Sequence, residues 1–160
     1  MKIIELTQGR HAIVDDEDYL LISEFKWHVR NGYVATNLRI KERQVPLYLH
    51  RLLLGLIPGD GMEADHRSGD HFDNRRENLR IATPAQNQYN QQIQIRLKSS
   101  RFKGVHWNRK SKAWRVQIRF KGKQIRIGYF PREDAAAHAY DEVAMKLFGE
   151  FAKLNFHWEA

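Results

Sequence analysis

Between Trp114 and Lys121 the chain alternates residue by residue: Trp114, Val116, Ile118 and Phe120 are apolar, while Arg115, Gln117, Arg119 and Lys121 are polar or basic. A period of two fits a β-strand that buries one face and leaves the other open. Gln124-Ile125-Arg126-Ile127 repeats the pattern after a Lys121-Gly122-Lys123 turn, and Phe102, Val105 and Trp107 begin an earlier strand before the turn at 108–112. Ala135, Ala136, Ala139, Tyr140, Val143, Ala144 and Leu147 then recur at helical spacing until Gly149 stops the run. The second half therefore reads as a three-stranded antiparallel sheet packed on one helix, whose alanines permit close approach. The other sheet face presents Arg115, Gln117, Arg119, Gln124 and Arg126, with no carboxylate. A ribbon of this kind fits the major groove of DNA, where Arg grips guanine and Gln grips adenine. A solvated face, or contact with phosphates alone, is the plainer alternative.

Charge is spread unevenly. Residues 1–90 hold 12 Lys+Arg against 13 Asp+Glu, whereas residues 91–160 hold 15 against 6. From Gln94 to Arg132 there are 13 basic residues and no acidic one, a field that attracts polyanions. Cysteine is absent, which excludes disulfides and a thiolate zinc site, so any metal must rest on His, Asn, Asp, Glu and water. Hard oxygen ligands suit Mg²⁺, or Mn²⁺, better than structural zinc. No stretch approaches the ~20 apolar residues of a membrane span, and Met1-Lys2-Ile3-Ile4-Glu5 lacks the apolar core of a secretion leader. The expectation is a soluble, cytoplasmic protein that is not secreted and has no membrane partner.

The first 60 residues suggest short strands with two helices. Ile3-Ile4-Glu5-Leu6 and His11-Ala12-Ile13-Val14 are short apolar runs, and the acids 15–18 precede a helix carrying Tyr19, Leu20, Ile22 and Phe25. Asn31-Gly32 between two apolar runs predicts a two-residue hairpin turn. A second helix is expected to follow Pro46, through Leu49, Leu52 and Leu53 to Gly55.

The run most charged with chemistry is Glu63-Ala64-Asp65-His66, then Asp73-Asn74-Arg75-Arg76-Glu77-Asn78-Leu79-Arg80, then Thr83-Pro84-Ala85-Gln86-Asn87. Thr83 and Gln86 form a capping box with proline at the first helical position, which sets Asn87 in a first helical turn. The order is strand, loop, strand, helix. This run resembles the HNH endonucleases, in the variant of phage and intron homing enzymes whose last His is Asn: His66, Asn78 and Asn87 stand 12 and 9 residues apart. The resemblance implies an α+β chain with a ββα-metal nuclease fold. It implies His66 as general base, Asn78 holding the His66 imidazole, and Asp65 and Asn87 holding one divalent metal. A neutral imidazole of pKa ~6.5 suits proton abstraction at neutral pH. His50, beside Arg51, is a further candidate that either touches the scissile phosphate or caps the core. Arg75, Arg76 and Arg80 are expected to clamp the DNA backbone, with plain solvation as the alternative.

Phe102-Lys103-Gly104-Val105, Trp114-Arg115-Val116-Gln117-Ile118, Ile127-Gly128-Tyr129-Phe130, the run 134–141 and Leu154-Asn155-Phe156 resemble the plant Apetala-two/ethylene-response-factor DNA-binding domain over residues 101–156. By position, that resemblance makes Lys103, Arg109, Arg115, Gln117, Arg119, Gln124 and Arg126 DNA contacts. The turn after Trp107 is one residue longer than the plant pattern, and Arg126 replaces a usual aromatic contact, so the plant target sequence does not carry over.

The expected organisation is a nuclease domain at 1–92 with its ββα core at 61–92, a linker at 93–99 that is either a DNA-following arm or a solvated connector, and a DNA-binding domain at 100–157. The expected partner is double-stranded DNA, met as a monomer or weak dimer, in a homing or phage role. The rivals are a non-catalytic DNA-binding regulator with a degenerate nuclease half, and an RNA-directed module.

Overall fold

A computed structural model describes residues 1–91 and 99–156, a mixed α/β chain with small antiparallel sheets. It forms two compact units, Met1–Asn87 and Gln88–Ala160. The division falls inside a helix, ahead of the expected linker, most of which lies outside the described residues.

In the first unit, β1 (Lys2–Glu5) pairs with β2 (His11–Val14), and α1 (Asp16–Ile22) follows. Asp16, Glu17 and Asp18 occupy the first turn of α1, where the helix dipole favours negative charge. A three-stranded sheet then forms from β3 (His28–Arg30), β4 (Tyr33–Ile40) and β5 (Arg43–Tyr48), with β4 in the middle. The β3–β4 turn is Asn31-Gly32, at φ +51° and +82°, the left-handed pair that a tight hairpin requires. Pro46 lies within β5, opposite Asn37, and α2 begins only at Leu49 and ends at Leu53. The helix expected after Pro46 is present but ends at Leu53, short of Gly55, and Pro46 itself is tolerated in β5 because that strand lies at the sheet edge.

Downstream, β6 (Glu63–His66) pairs with β7 (Leu79–Ala82) in the register Glu63–Ala82 to His66–Leu79, and α3 (Pro84–Asn90) follows directly. The Thr83–Gln86 box starts α3: the Thr83 N–H donates to Gln86 Oε1 at 2.8 Å, and the Gln86 N–H donates to Thr83 Oγ1 at 3.3 Å. Ile4, Leu6, Val14, Ile22, Trp27, Val34, Leu49, Leu53 and Leu79 make one buried core, so β7 shares its apolar support with the amino-terminal hairpins and α2.

In the second unit, β8 (Val105–Asn108), β9 (Ala113–Phe120) and β10 (Lys123–Phe130) form an antiparallel sheet with β9 central, and α4 (Glu133–Phe148) packs on it. Val116 and Ile118 are buried with Ala136, Ala137, Tyr140 and Ala144, so the alternation of β9 and the alanine stripe of α4 meet in one core. Gly104, at φ +77°, lies so close to Tyr140 that a Cβ there would stand 2.0 Å from the ring. Buried Asp141 accepts hydrogen bonds from the Asn155 and Phe156 N–H groups and from Asn155 Nδ2, pinning the segment after the helix.

Candidate active site and nucleic-acid face

His66 closes β6 and is only 3% exposed. Its ring centroid lies 5.2 Å from that of His50 and 5.2 Å from that of His71, while Tyr33 stacks on His71 at 4.0 Å. Three stretches of chain thus converge: the β3–β4 hairpin gives Tyr33, α2 gives His50, and the β6–β7 loop gives His71. Burial first, and then charge on His71, lowers the His66 pKa; the Asn74 hydrogen bond and the Asp65 and Asp70 carboxylates act against this. His50 is pushed down to about 3, mainly by burial and then by its neighbours His66, His71 and Arg51, and its buried Nδ1 has no hydrogen-bond partner among the described residues. Burial thus disfavours the charged form of both rings.

Asn74, not Asn78, meets the His66 ring: Asn74 Oδ1 lies 3.3 Å from His66 Nε2. Because Asn74 Nδ2 donates to the His71 carbonyl at 3.2 Å, its oxygen is the end that faces the imidazole, and an amide oxygen only accepts. Nε2 must then carry the proton, which leaves a lone pair on Nδ1. Asn78 braces the loop instead, accepting from the Ser68 N–H at 2.9 Å and donating to the Asp73 carbonyl at 2.7 Å. The ring-holding role expected of Asn78 is corrected accordingly, for its amide spans the loop rather than reaching the ring. Strand β2 secures the same loop, since the Asn74 N–H donates to the Ile13 carbonyl at 2.8 Å.

Asp65 sits opposite Arg80 in the β6–β7 pair, and Arg80 Nε and Nη2 reach its Oδ2 at 2.7 and 2.6 Å. Arg80 is 7% exposed, so it neutralises a buried carboxylate and is not placed as a surface clamp for DNA. Arg76 is likewise engaged: its guanidinium takes Asp18 at 2.6 Å and its N–H donates to Asp15. Arg75 forks onto Asp73 and also reaches Glu77, which holds the Asp73 carboxyl below the usual range. All three arginines read from the sequence as backbone clamps thus have intramolecular partners. Arg51 donates to the Met62 and Ile57 carbonyls and to Asp60, fixing the turn that leads into β6.

An open cleft of about 380 Å³ is lined by Asn31, Tyr33, Tyr48, His50, Arg51, Glu63, Ala64 and Asn87. Asn87 reaches it from α3, and its Nδ2 donates to Glu63 Oε2 at 2.6 Å. Tyr33 and His50 border both the cleft and the His66 ring. Among the described residues no three His, Asp or Glu side chains cluster as a cation cage.

In the second unit the β9–β10 register sets Arg119 beside Gln124 and Gln117 beside Arg126, on the face away from Val116 and Ile118. Arg109, Arg119, Gln124 and Arg126 are exposed, and Arg115 and Gln117 are half-buried. Lys103 departs from expectation: its ammonium donates to the Tyr89 and Gln91 carbonyls at 2.6 and 2.9 Å, and burial lowers its pKa to about 8. It serves the packing of this unit, together with the stack of Tyr89 on Phe148.

A family model described as HNH endonuclease matches residues 48–89, the span from His50 to Asn87 and slightly beyond. An uncharacterized HNH endonuclease of Acanthamoeba polyphaga mimivirus is 30% identical over 92% of this chain and 76% of its own. The chain belongs to the HNH endonuclease family. It is a phosphodiester hydrolase by that membership. Protein 3.8 of Escherichia phage T7 is 29% identical over 63% of this endonuclease and 81% of the phage protein. An AP2-like ethylene-responsive transcription factor of Arabidopsis thaliana is 43% identical over 38% of the endonuclease, but that stretch covers only 13% of the plant protein. No solved structure matches.

Four site residues of this HNH endonuclease escaped the sequence reading. Asn74 carried a signal, a second asparagine just before Arg75 in the loop, but nothing in the spacing separates it from Asn78. His71 reads as an ordinary loop residue until Tyr33 is seen stacked on it. Tyr33 lies outside the stretch that the family model covers, and Glu63 gains meaning only from its contact with Asn87.

Proposed function

We propose that the chain is a metal-dependent DNA endonuclease of viral or homing type, with a ββα-metal site in its first unit and a duplex-binding sheet in its second. The observation that carries the reading is a buried His66, hydrogen-bonded to Asn74, next in sequence to Asp65 and packed against Tyr33 and His50, which line the same cleft as Asn87.

The donor set fits a hard divalent cation. Asn87 Nδ2 is held by Glu63, and among the described residues its Oδ1 has no hydrogen-bond partner. Asp65 Oδ2 is held by Arg80 Nε and Nη2 in an ion pair buried on both sides. Asp65 and Asn87 would hold the cation, Mg²⁺ or Mn²⁺, with DNA completing its coordination. When bound, it supplies charge stabilisation at the phosphate and the leaving 3′ oxygen. His66 Nδ1 takes the proton of the attacking water, and the Asn74 amide oxygen, by accepting from Nε2–H, favours the tautomer whose lone pair lies on Nδ1. His50, neutral and buried beside that ring, lines the cleft where a phosphate oxygen would lie. Tyr33 and Tyr48 wall the same cleft.

Arg109, Arg115, Gln117, Arg119, Gln124 and Arg126 supply the second unit's contacts with duplex DNA, giving site preference through base edges. The viral relatives and the transcription-factor likeness of a short stretch support this arrangement. We place its action in the cytoplasm of the cell holding the target DNA, as a monomer or weak dimer. The test is supercoiled-plasmid cleavage with Mg²⁺ and with EDTA. Nicking or linearisation with Mg²⁺ alone supports the reading, and no metal-dependent cutting supports a DNA-binding regulator instead.

A further inference from the structure

We propose that Glu63 is a positioning residue for the metal site: it holds the amide nitrogen of Asn87 and thereby turns the amide oxygen to the cation. The inference rests on the reading of Asn87 as a ligand.

An asparagine amide offers two ends of nearly equal size, and only the oxygen binds a cation. Helix position alone does not choose between them. A carboxylate chooses, because it is an acceptor only and must face the NH₂ end. Glu63 Oε2 takes that end at 2.6 Å, a short charge-assisted bond. Both residues are half-buried and both line the cleft. Glu63 stands two residues before Asp65 on β6, so strand alternation sets the two acids on one face. The backbone contributes as well: the Asn87 N–H is bound to the Thr83 carbonyl, and the capping box fixes Thr83 itself. The amide therefore has its nitrogen tethered, its main chain tethered, and its oxygen without a protein partner among the described residues. Drawing the N–H proton toward a carboxylate leaves more electron density on the amide and makes its oxygen a better donor. Partners of metal ligands act in this way.

The experiment measures Mn²⁺ binding to the full chain by the electron paramagnetic resonance signal of free Mn²⁺, with thermal melts run alongside. Glu63→Ala is expected to weaken binding about 10- to 100-fold. Glu63→Gln, whose amide can present either its oxygen or its NH₂ to Asn87, is expected to fall between the wild type and Glu63→Ala. Asn87→Ala should weaken binding as much as Glu63→Ala, and the double variant should be no weaker than Asn87→Ala alone. The proposal is overturned if Glu63→Ala binds like the wild type while Asn87→Ala is impaired. It is overturned equally if the double variant binds markedly more weakly than Asn87→Ala alone, for Glu63 then acts on the cation independently of Asn87. If Asn87→Ala itself binds normally, the ligand reading falls and takes this inference with it.

Discussion

Replacing Arg80 by Met tests how the site tolerates its buried carboxylate. Both side chains of the Arg80–Asp65 pair are nearly removed from water, at 6% and 5% exposure, and two guanidinium nitrogens contact the same carboxylate oxygen. Deleting one partner of such a pair costs about 3–5 kcal/mol, because the remaining charge stays in a poor solvent. That is a large fraction of the ~5–15 kcal/mol that a domain has. Arg80→Met should therefore lower the urea stability of the first unit by about 3 kcal/mol or more, read by hydrogen exchange of peptides spanning β6 and β7. Pairing it with Asp65→Leu should recover most of the loss, since an apolar pair replaces a charged one. Mg²⁺ should stabilise the single variant, by about 2.7 kcal/mol at a hundred times its dissociation constant, if Asp65 ligates the cation. A loss below about 1 kcal/mol for Arg80→Met would refute the claim that this pair is desolvated and coupled.

Asn74→Ala should slow single-turnover DNA cleavage about 100-fold while leaving DNA affinity within twofold, since a misoriented base loses rate rather than binding; unchanged rates would remove Asn74 from the mechanism. Arg119→Ala should reduce discrimination between preferred and random duplexes by about 1–3 kcal/mol in competition binding, and equal loss on both would leave only phosphate contact. Lys103 gives a pH signature: burial holds its folded pKa at about 8, below the ordinary 10.5. Between those values the unfolded chain binds a proton that the folded chain has released, so this residue makes stability rise with pH across that window. Calorimetric melts of wild type and Lys103→Met at pH 7 to 10.5 should show the rise in the former only; parallel curves would contradict the burial of that ammonium.

Local signals in the sequence located much of the secondary structure. Asn31-Gly32 demanded left-handed geometry and has it, Thr83 to Gln86 demanded a helix start and makes one, and the alternation at 114–120 lies within β9. These features are decided by residues within a few positions of one another. Partners distant in the chain were not legible. Arg76 is claimed by Asp18, 58 residues away, and Arg80 by Asp65, so positive charges that looked available for phosphate are already neutralised. Pro46 precedes the expected helix and lies in the edge strand β5, a place that only the sheet order reveals. The same holds at the candidate site: spacing singles out His66 and Asn87, while the β3–β4 hairpin brings Tyr33 beside the His66 ring and the loop sets Asn74 against it.

The most direct measurement of the whole account compares cleavage with binding for one side chain. With Mg²⁺ present, His66→Ala should bind duplex DNA as tightly as the wild type and fail to cut it under single-turnover conditions. Cutting by that variant at the wild-type rate would contradict the assignment of the buried imidazole as the proton acceptor.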